Sequence, residues 1–221
     1  MDNKPNERKR TSGAIRDKDR TKNKMIQAVG KVLLKKGYTG LNASTIAKEA
    51  EVDKRLVWTY FGGLDPLVEE YISRRDFWKF TATDSINDLL GTNNGIKKEQ
   101  VSDLLKSQFE ALLYDNVLQR IIHWELSENK SFLRNISNQR EAIGEELFKH
   151  IAHQFNNETK QIRAITALLI GGIYYLALHG KVNGSLFCGL DINKEEDKLL
   201  INKTIEEIIA FAFGNAVKIN Q

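Results

Sequence analysis

Residues 42–60 bring short polar, basic and aromatic side chains together at spacings that suit contact with a polyanion. Lys54 and Arg55 can donate hydrogen bonds to guanine edges or to phosphate oxygens. Hydroxyl groups at the start of a helix, such as those of Ser44 and Thr45, suit phosphate contacts beside the free backbone amides. The candidate nucleic-acid-binding residues are Asn42, Ser44, Thr45, Lys54, Arg55, Trp58, Thr59 and Tyr60.

Each of these side chains alone is equally typical of an ordinary surface or core position. Thr59 can meet a base methyl group or a phosphate, and Trp58 can pack on a sugar or a base. The hypothesis of DNA binding therefore depends on the whole set lying in register on one pair of helices.

The charge of the chain is distributed unevenly. The overall net charge is +4, but residues 1–64 hold 15 Lys and Arg against 7 Asp and Glu, so the remainder is net negative. This asymmetry indicates that only the N-terminal part meets a polyanion, without separating DNA from RNA or an acidic membrane surface. Residues 1–16 have no apolar period and are predicted to be a flexible basic arm, either a solvated tail or one that reaches DNA.

Three short helices are predicted to position the polar residues. Apolar residues recur at helical spacing from Asp17 to the glycine stop at Gly37. Asn42 can cap a second helix, and Asp53 can cap a third helix that ends at Gly62. Three helices in about 45 residues, with a short turn between the last two, predict a helix-turn-helix whose third helix enters the major groove.

Gly37-Tyr38, followed by LNASTIAKEAEVDKRLVWTYFGGLDPLVEEYI, resembles the DNA-binding segment of the tetracycline-repressor (TetR/AcrR) family. The matching features are Ile46-Ala47, the caps Asn42 and Asp53, and the aromatic run Trp58-Thr59-Tyr60-Phe61, within residues 20–72. Two positions depart from the family pattern: Leu64 stands where a phosphate-contacting lysine is common, and Trp58 replaces a more usual tyrosine. The resemblance implies that Tyr60 hydrogen-bonds the DNA backbone.

The rest of the chain is predicted to be helical as well. The predicted helices are 65–88, 97–114, 116–128, 133–155, 159–180 and 193–217, with a surface loop over 182–192. With no convincing strand pattern, the fold class is all-α. We expect a helix-turn-helix domain over 17–64 and a larger helical ligand-binding and dimerisation domain over 65–221.

An effector pocket is expected in the larger domain, because the family that the chain resembles binds its inducers there. Aromatic residues at helical spacing are usually core, but several with polar neighbours can converge on an apolar pocket. The candidate ligand-binding residues are Trp78, Tyr114, His123, Trp124, Glu128, Tyr174 and Tyr175. No cofactor is expected. His150 and His153 lie three residues apart, but no acidic or cysteine ligand has matching spacing, so neither a metal site nor enzymatic activity is predicted.

The apolar stretch 164–178 has 15 residues, fewer than the roughly 20 that span a bilayer, and is interpreted as a buried helix. The resemblance implies that the last two helices pair with their twins in a homodimer; the alternative is that both complete the monomer core. The single cysteine, Cys188, fits a reducing cytoplasm.

We therefore expect a cytoplasmic transcriptional regulator: a repressor that binds a palindromic operator in double-stranded DNA and is released by a small-molecule effector. Two alternatives stay open at this point. One is a ligand-binding protein or enzyme of the same fold that has lost DNA binding, which the substitution at Leu64 favours. The other is a membrane-surface protein that uses the basic arm, although no membrane partner is expected.

Overall fold

The computed structural model describes residues 11–91, 95–156 and 159–219, which form ten α-helices. Apart from a single bridge between Phe187 and Leu190, this part of the chain contains no β-structure. The predicted all-α class is confirmed. The helices are α1 (Thr11–Lys36), α2 (Ala43–Ala50), α3 (Arg55–Phe61), α4 (Leu64–Ser73), α5 (Thr83–Leu90), α6 (Lys98–Tyr114), α7 (Asn116–Ser127), α8 (Ser131–Ile151), α9 (Lys160–Leu178) and α10 (Glu195–Ile219).

The chain divides into two compact units, Met1–Tyr71 and Ile72–Gln221. The boundary lies within α4, a little beyond the predicted domain limit at residue 64. Helix α1 begins at Thr11, earlier than the predicted start at Asp17. Residues 1–10 of the predicted arm lie outside the described residues, whereas 11–16 are part of α1.

In the first unit, α1 packs against α2. Apolar side chains from four helices form the core: Met25, Val29, Ile46, Val57 and Leu67 are fully buried or nearly so. A Cβ atom placed on Gly30 of α1 would lie 2.2 Å from the hydroxyl oxygen of Tyr71 in α4. Glycine at this position therefore allows the tyrosine to lie directly against the backbone of α1.

The predicted single helix over 65–88 is wrong, because the chain breaks it. Helix α4 ends at Ser73, a short π-helical segment covers Phe77–Thr81, and α5 follows. Asp76 causes the break: its backbone is extended and its carboxylate accepts a hydrogen bond from the Lys79 amide at 3.2 Å. The carboxylate is also buried against Arg140, a partner 64 residues away that local periodicity cannot reveal.

In the second unit, α6 packs against α7, α9 and α10, while α5 packs against α8. The centre of this core is apolar and includes Phe109, Leu112, Ile122, Ile173 and Ile209. The interpretation of 164–178 as a buried helix is only partly right. Of α9, only Ile162, Ile173 and Ala177 are buried, and Leu168 is 77% exposed.

Candidate nucleic-acid interface and ligand cavity

The turn between α2 and α3 has the geometry that its residues predict. Asn42 caps α2, since its Oδ1 accepts a hydrogen bond from the Thr45 amide at 2.9 Å. Ser44 is exposed beside this cap, and Thr45 is half-buried. Glu51 ends α2 in the left-handed conformation, with φ of 57°. The second helix is thus held by its own cap and by the buried side chains of Ile46 and Ala47.

Helix α3 presents one buried and one exposed side. Val57 is fully buried and anchors the helix in the core of its unit. Lys54 and Arg55 at its start, with Trp58 and Thr59 one turn later, are exposed, and Trp58 keeps 54% of its surface accessible. Because residues four apart share a face of a helix, these four side chains form one surface. An exposed tryptophan among cations is well suited to a nucleic-acid contact.

Asp53 both caps α3 and binds the side chain of Arg55. Its Oδ1 accepts a hydrogen bond from the Arg55 amide at 2.8 Å, which confirms the predicted cap. Its Oδ2 lies 2.8 Å from Nη2 of the Arg55 guanidinium, in an exposed ion pair. The hydrogen bonds from the side chain and backbone of Arg55 lower the pKa of Asp53 to about 2.

Two lysines of α1 extend this basic surface, although sequence reasoning did not single them out. The Lys18 ammonium lies 5.7 Å from the centre of the Tyr60 ring, and that of Lys22 lies 5.5 Å from the Phe61 ring. Tyr60 itself is half-buried. The sequence signal for this surface was that Lys18 and Lys22 lie four residues apart, and therefore on one face, of a basic helix.

The second unit contains a cavity of about 550 Å³, within the usual range for small-molecule sites. Its walls come mainly from α6, α8 and α9 and are largely apolar. The apolar lining includes Leu89, Ile96, Val101, Leu104, Leu105, Leu147, Phe148, Ile151, Ile162 and Ile170. The polar and aromatic lining includes Trp78, Glu125, Ser137, Arg140, Glu141, Arg163, Thr166 and Tyr174.

Arg140, Glu125 and Ser137 line this cavity and belong to a buried ionic cluster that also includes Asp76, which lies outside the lining. Arg140 donates from Nε to Asp76 at 2.6 Å and from Nη1 to Glu125 at 2.7 Å. The Ser137 hydroxyl donates a further hydrogen bond to Glu125. Burial opposes the charge on Arg140, but the attraction of Asp76 and Glu125 outweighs it and raises the pKa of the guanidinium. The arginine is therefore charged and held between two carboxylates.

Tyr174 lies beside the cluster as a neutral hydrogen-bonding group. Its hydroxyl accepts a hydrogen bond from Nε2 of Gln108 at 2.9 Å. Burial is the main cause that raises the pKa of the Tyr174 phenol above its ordinary value. The phenol consequently carries no charge near pH 7.

Of the seven predicted ligand-binding residues, the structure brings Trp78 and Tyr174 to the cavity. The other five lie elsewhere in the second unit. Tyr114 and His123 are exposed, Trp124 is buried against Phe132, Glu128 faces Lys130 at 3.7 Å, and Tyr175 stacks on His179. Sequence reasoning missed the lining residues Ser137, Arg140 and Arg163. Charged residues on otherwise amphipathic helices were the only signal for the two arginines.

No protein-family model matches this sequence, and no curated protein matches it either. Solved structures do match. A TetR family transcription regulator from Marinobacter aquaeolei superposes with a TM-score of 0.60 and 14% identity, over 88% of this chain and 97% of that chain. The chain has the fold of the TetR-family transcription regulators.

Two further structures share the TetR fold with this chain. FadR from Bacillus subtilis, solved in complex with stearoyl-CoA, has a TM-score of 0.58 at 16% identity, over 85% of this chain and 96% of FadR. NalD, the secondary repressor of the MexAB-OprM multidrug efflux pump in Pseudomonas aeruginosa, has a TM-score of 0.58 at 18% identity. That match covers 87% of this chain and 95% of NalD.

The last two helices of this TetR-fold chain pack together and carry an exposed apolar face. Leu168 and Tyr175 of α9, with Leu200 and Phe211 of α10, are each at least half exposed. Gly171 lies between the first two, and a Cβ atom there would meet nothing within 4 Å. The helical stretch Lys160–Asn183 is long and apolar enough to cross a membrane, judged by length and composition alone; its mean hydropathy is 1.5, and 17% of its most apolar part is buried.

The two histidines considered as metal ligands are not clustered with other ligands. Nδ1 of His150 lies 3.0 Å from the carbonyl oxygen of Glu146, and His153 is exposed. Within residues 11–91, 95–156 and 159–219, no group of three or more His, Cys, Asp or Glu is placed to hold a metal ion.

Proposed function

We propose that this chain is a DNA-binding transcriptional regulator whose affinity for its operator is set by a small molecule in the cavity of the second unit. The observation that carries the proposal is the face of α3, where Arg55, Trp58 and Thr59 are exposed on a helix anchored by Val57. The TetR fold supports it, since the matched structures are regulators.

In this proposal, α2 and α3 contact different parts of the DNA. Arg55 donates to a guanine edge in the major groove, while Lys54 and Trp58 contact the backbone and sugars. Ser44 and Thr45, beside the capped N-terminus of α2, bind a phosphate. Thr59 donates its hydroxyl to the Arg55 carbonyl at 3.1 Å, which leaves its methyl group for a thymine methyl.

The proposed regulator is a homodimer formed through α9 and α10. Leu168, Leu200 and Phe211 form an apolar face that none of the described residues covers, and burying it in a twofold interface removes it from water. The open space at Gly171 allows a partner helix to approach closely. Two copies of α3 then read the two halves of a palindromic operator.

We further propose that the protein represses transcription in the cytoplasm, without enzymatic activity, and leaves its operator when the effector binds. NalD is a repressor and FadR binds an acyl-CoA, so both activities occur on this fold. A ligand releases DNA only if it binds the conformation with low DNA affinity more tightly than the other.

The test is selection of binding sites from random duplexes, followed by fluorescence anisotropy on the selected duplex and a scrambled one. We expect a palindromic site, and we expect affinity to fall steeply with salt. The double variant Lys54→Ala/Arg55→Ala should lose the preference for the selected duplex over the scrambled one. Lys98→Ala/Lys149→Ala, which removes two exposed cations of the second unit outside α9 and α10, should keep this preference. No binding at low salt, or binding that ignores salt, would instead favour a TetR-fold protein without a DNA role. Sedimentation with anionic liposomes tests the membrane-surface alternative.

A further inference from the structure

We propose that the cavity of the second unit takes a lipophilic organic cation, such as a hydrophobic amine or a quaternary onium ion. This inference rests on the proposed role of the cavity as the effector site. It concerns the charge of the effector, which neither the fold nor the helix-turn-helix determines.

The ionic cluster in the cavity wall has an excess of negative charge. Arg140 is the single cation of the cluster, and it faces both Asp76 and Glu125. Asp76 is 1% exposed, and the Arg140 side chain is 11% exposed, so water screens their charges poorly. In the described part of the chain, the ion pairs of Asp76 and Glu125 share this one guanidinium, which leaves an excess of one negative charge in the cluster.

The remaining titratable groups around the cavity do not reverse this sign. Arg163 is bound by Glu145, with Nη2 3.0 Å from the carboxylate, and is balanced by it. Glu141 also lines the cavity and adds a further carboxylate. Tyr174 stays neutral because burial raises the pKa of its phenol. The lining itself holds two carboxylates, Glu125 and Glu141, and two guanidinium groups, Arg140 and Arg163. Asp76 and Glu145 lie outside the lining and each bind one of these arginines, so the whole network is net negative and favours a cation over an anion.

The aromatic lining suits the same ligand. Trp78 and Tyr174 border the cavity beside the cluster, and aromatic faces attract cations. Phe148, a third aromatic of the lining, already has the Arg163 guanidinium at 4.4 Å from its ring centre. The long apolar wall then accommodates hydrocarbon groups of the ligand.

The experiment compares two probes of nearly equal shape and opposite charge, tetraphenylphosphonium and tetraphenylborate. Binding to the full chain is measured by calorimetry and by quenching of tryptophan fluorescence. We expect the phosphonium to bind at least about tenfold more tightly than the borate, the size of one partly desolvated charge contact. Trp78→Phe should lose most of the quenching, and Trp58→Phe should keep it.

Two variants connect the preference to the carboxylates. Glu125→Gln keeps the shape of the side chain and removes the excess charge. The ratio of the phosphonium affinity to the borate affinity should therefore fall about tenfold. Glu141→Gln, on an exposed side chain that leaves the fold intact, should lower it by about two- to threefold. The matched control is Glu146→Gln, on the same helix but outside the lining, which should change nothing.

Tighter binding of the borate or of oleate, equal binding of both ions, or binding of neither overturns the proposal. The proposal is also overturned if Glu125→Gln and Glu141→Gln both leave the preference for phosphonium over borate unchanged. These measurements contain no DNA, so they succeed or fail independently of whether the chain binds an operator.

Discussion

The Asp53 carboxylate holds the Arg55 guanidinium at 2.8 Å while it also caps the helix to which Arg55 belongs. The side chain most suited to reading a guanine is thereby oriented before DNA arrives. Only Lys54 lies between the two residues. The segment 53–55 therefore both starts α3 and orients the Arg55 side chain. A preorganised arginine loses less conformational entropy when it binds a base.

The Asp53–Arg55 pair should determine base preference. Asp53→Asn retains an acceptor for the cap but releases the guanidinium, so the operator preference should fall while affinity for scrambled DNA rises. Arg55→Ala should reduce the preference by about 1–3 kcal/mol. Anisotropy titrations on both duplexes measure these ratios. Glu51→Gln is the control, since it removes a nearby exposed carboxylate without touching Arg55 and should leave the ratio unchanged.

The pH dependence of this pair lies far below neutrality. Because the pKa of Asp53 is lowered to about 2, its stabilising contribution is complete above the ordinary carboxyl range and is lost as the pH falls through about 2. Arg55→Gln should return the pKa towards its ordinary value of 3.8. A carbon-detected NMR titration of the Asp53 carboxyl measures both values, and an unshifted wild-type pKa would contradict the ion pair.

Gly30 should tolerate no side chain. In Gly30→Ala the new methyl group meets the Tyr71 ring, so the free energy of unfolding should fall by about 1–3 kcal/mol. Gly144→Ala is the matched control, because its Cβ meets nothing within 4 Å and alanine favours the helix by about 0.5–1 kcal/mol. Urea unfolding of both variants should therefore give changes of opposite sign.

Arg140 should be indispensable for the stability of the second unit. Arg140→Met leaves Asp76 and Glu125 without their cation in a poorly solvated wall, which should cost about 3–5 kcal/mol. Lys149→Met, which removes an exposed ion pair with Glu146 on the same helix, should cost less than about 1 kcal/mol. Thermal and urea unfolding compare the two, and similar small losses would show that the cluster is solvated.

The exposed face of α9 should control the oligomeric state. Leu168→Glu places a charge within the proposed interface and should convert the dimer to a monomer in analytical ultracentrifugation. Leu126→Glu, at an equally exposed leucine of α7, should leave the dimer intact. A wild-type chain that sediments as a monomer, or a Leu168→Glu dimer, would refute the interface through α9.

The helix-turn-helix could be predicted because its contacts are local. Asn42 caps an amide three residues away and Asp53 one two residues away, so the residue types reveal both helix starts. The cavity could not be predicted in this way. Asp76 and Glu125 meet Arg140 across 64 and 15 residues, and such distant pairs leave no periodic signal in one sequence.

The sequence by itself determined that the chain is helical, that its basic part is N-terminal and that α3 starts at a capped turn, since spacing, charge and caps act over a few residues. Only the tertiary structure decided which apolar residues face the core, the cavity or solvent. Helix α9 illustrates the reason: Ile173 is buried and Leu168 is exposed, although both are equally apolar. Hydrophobicity indicates that a side chain needs cover, but the arrangement of distant helices determines where that cover comes from.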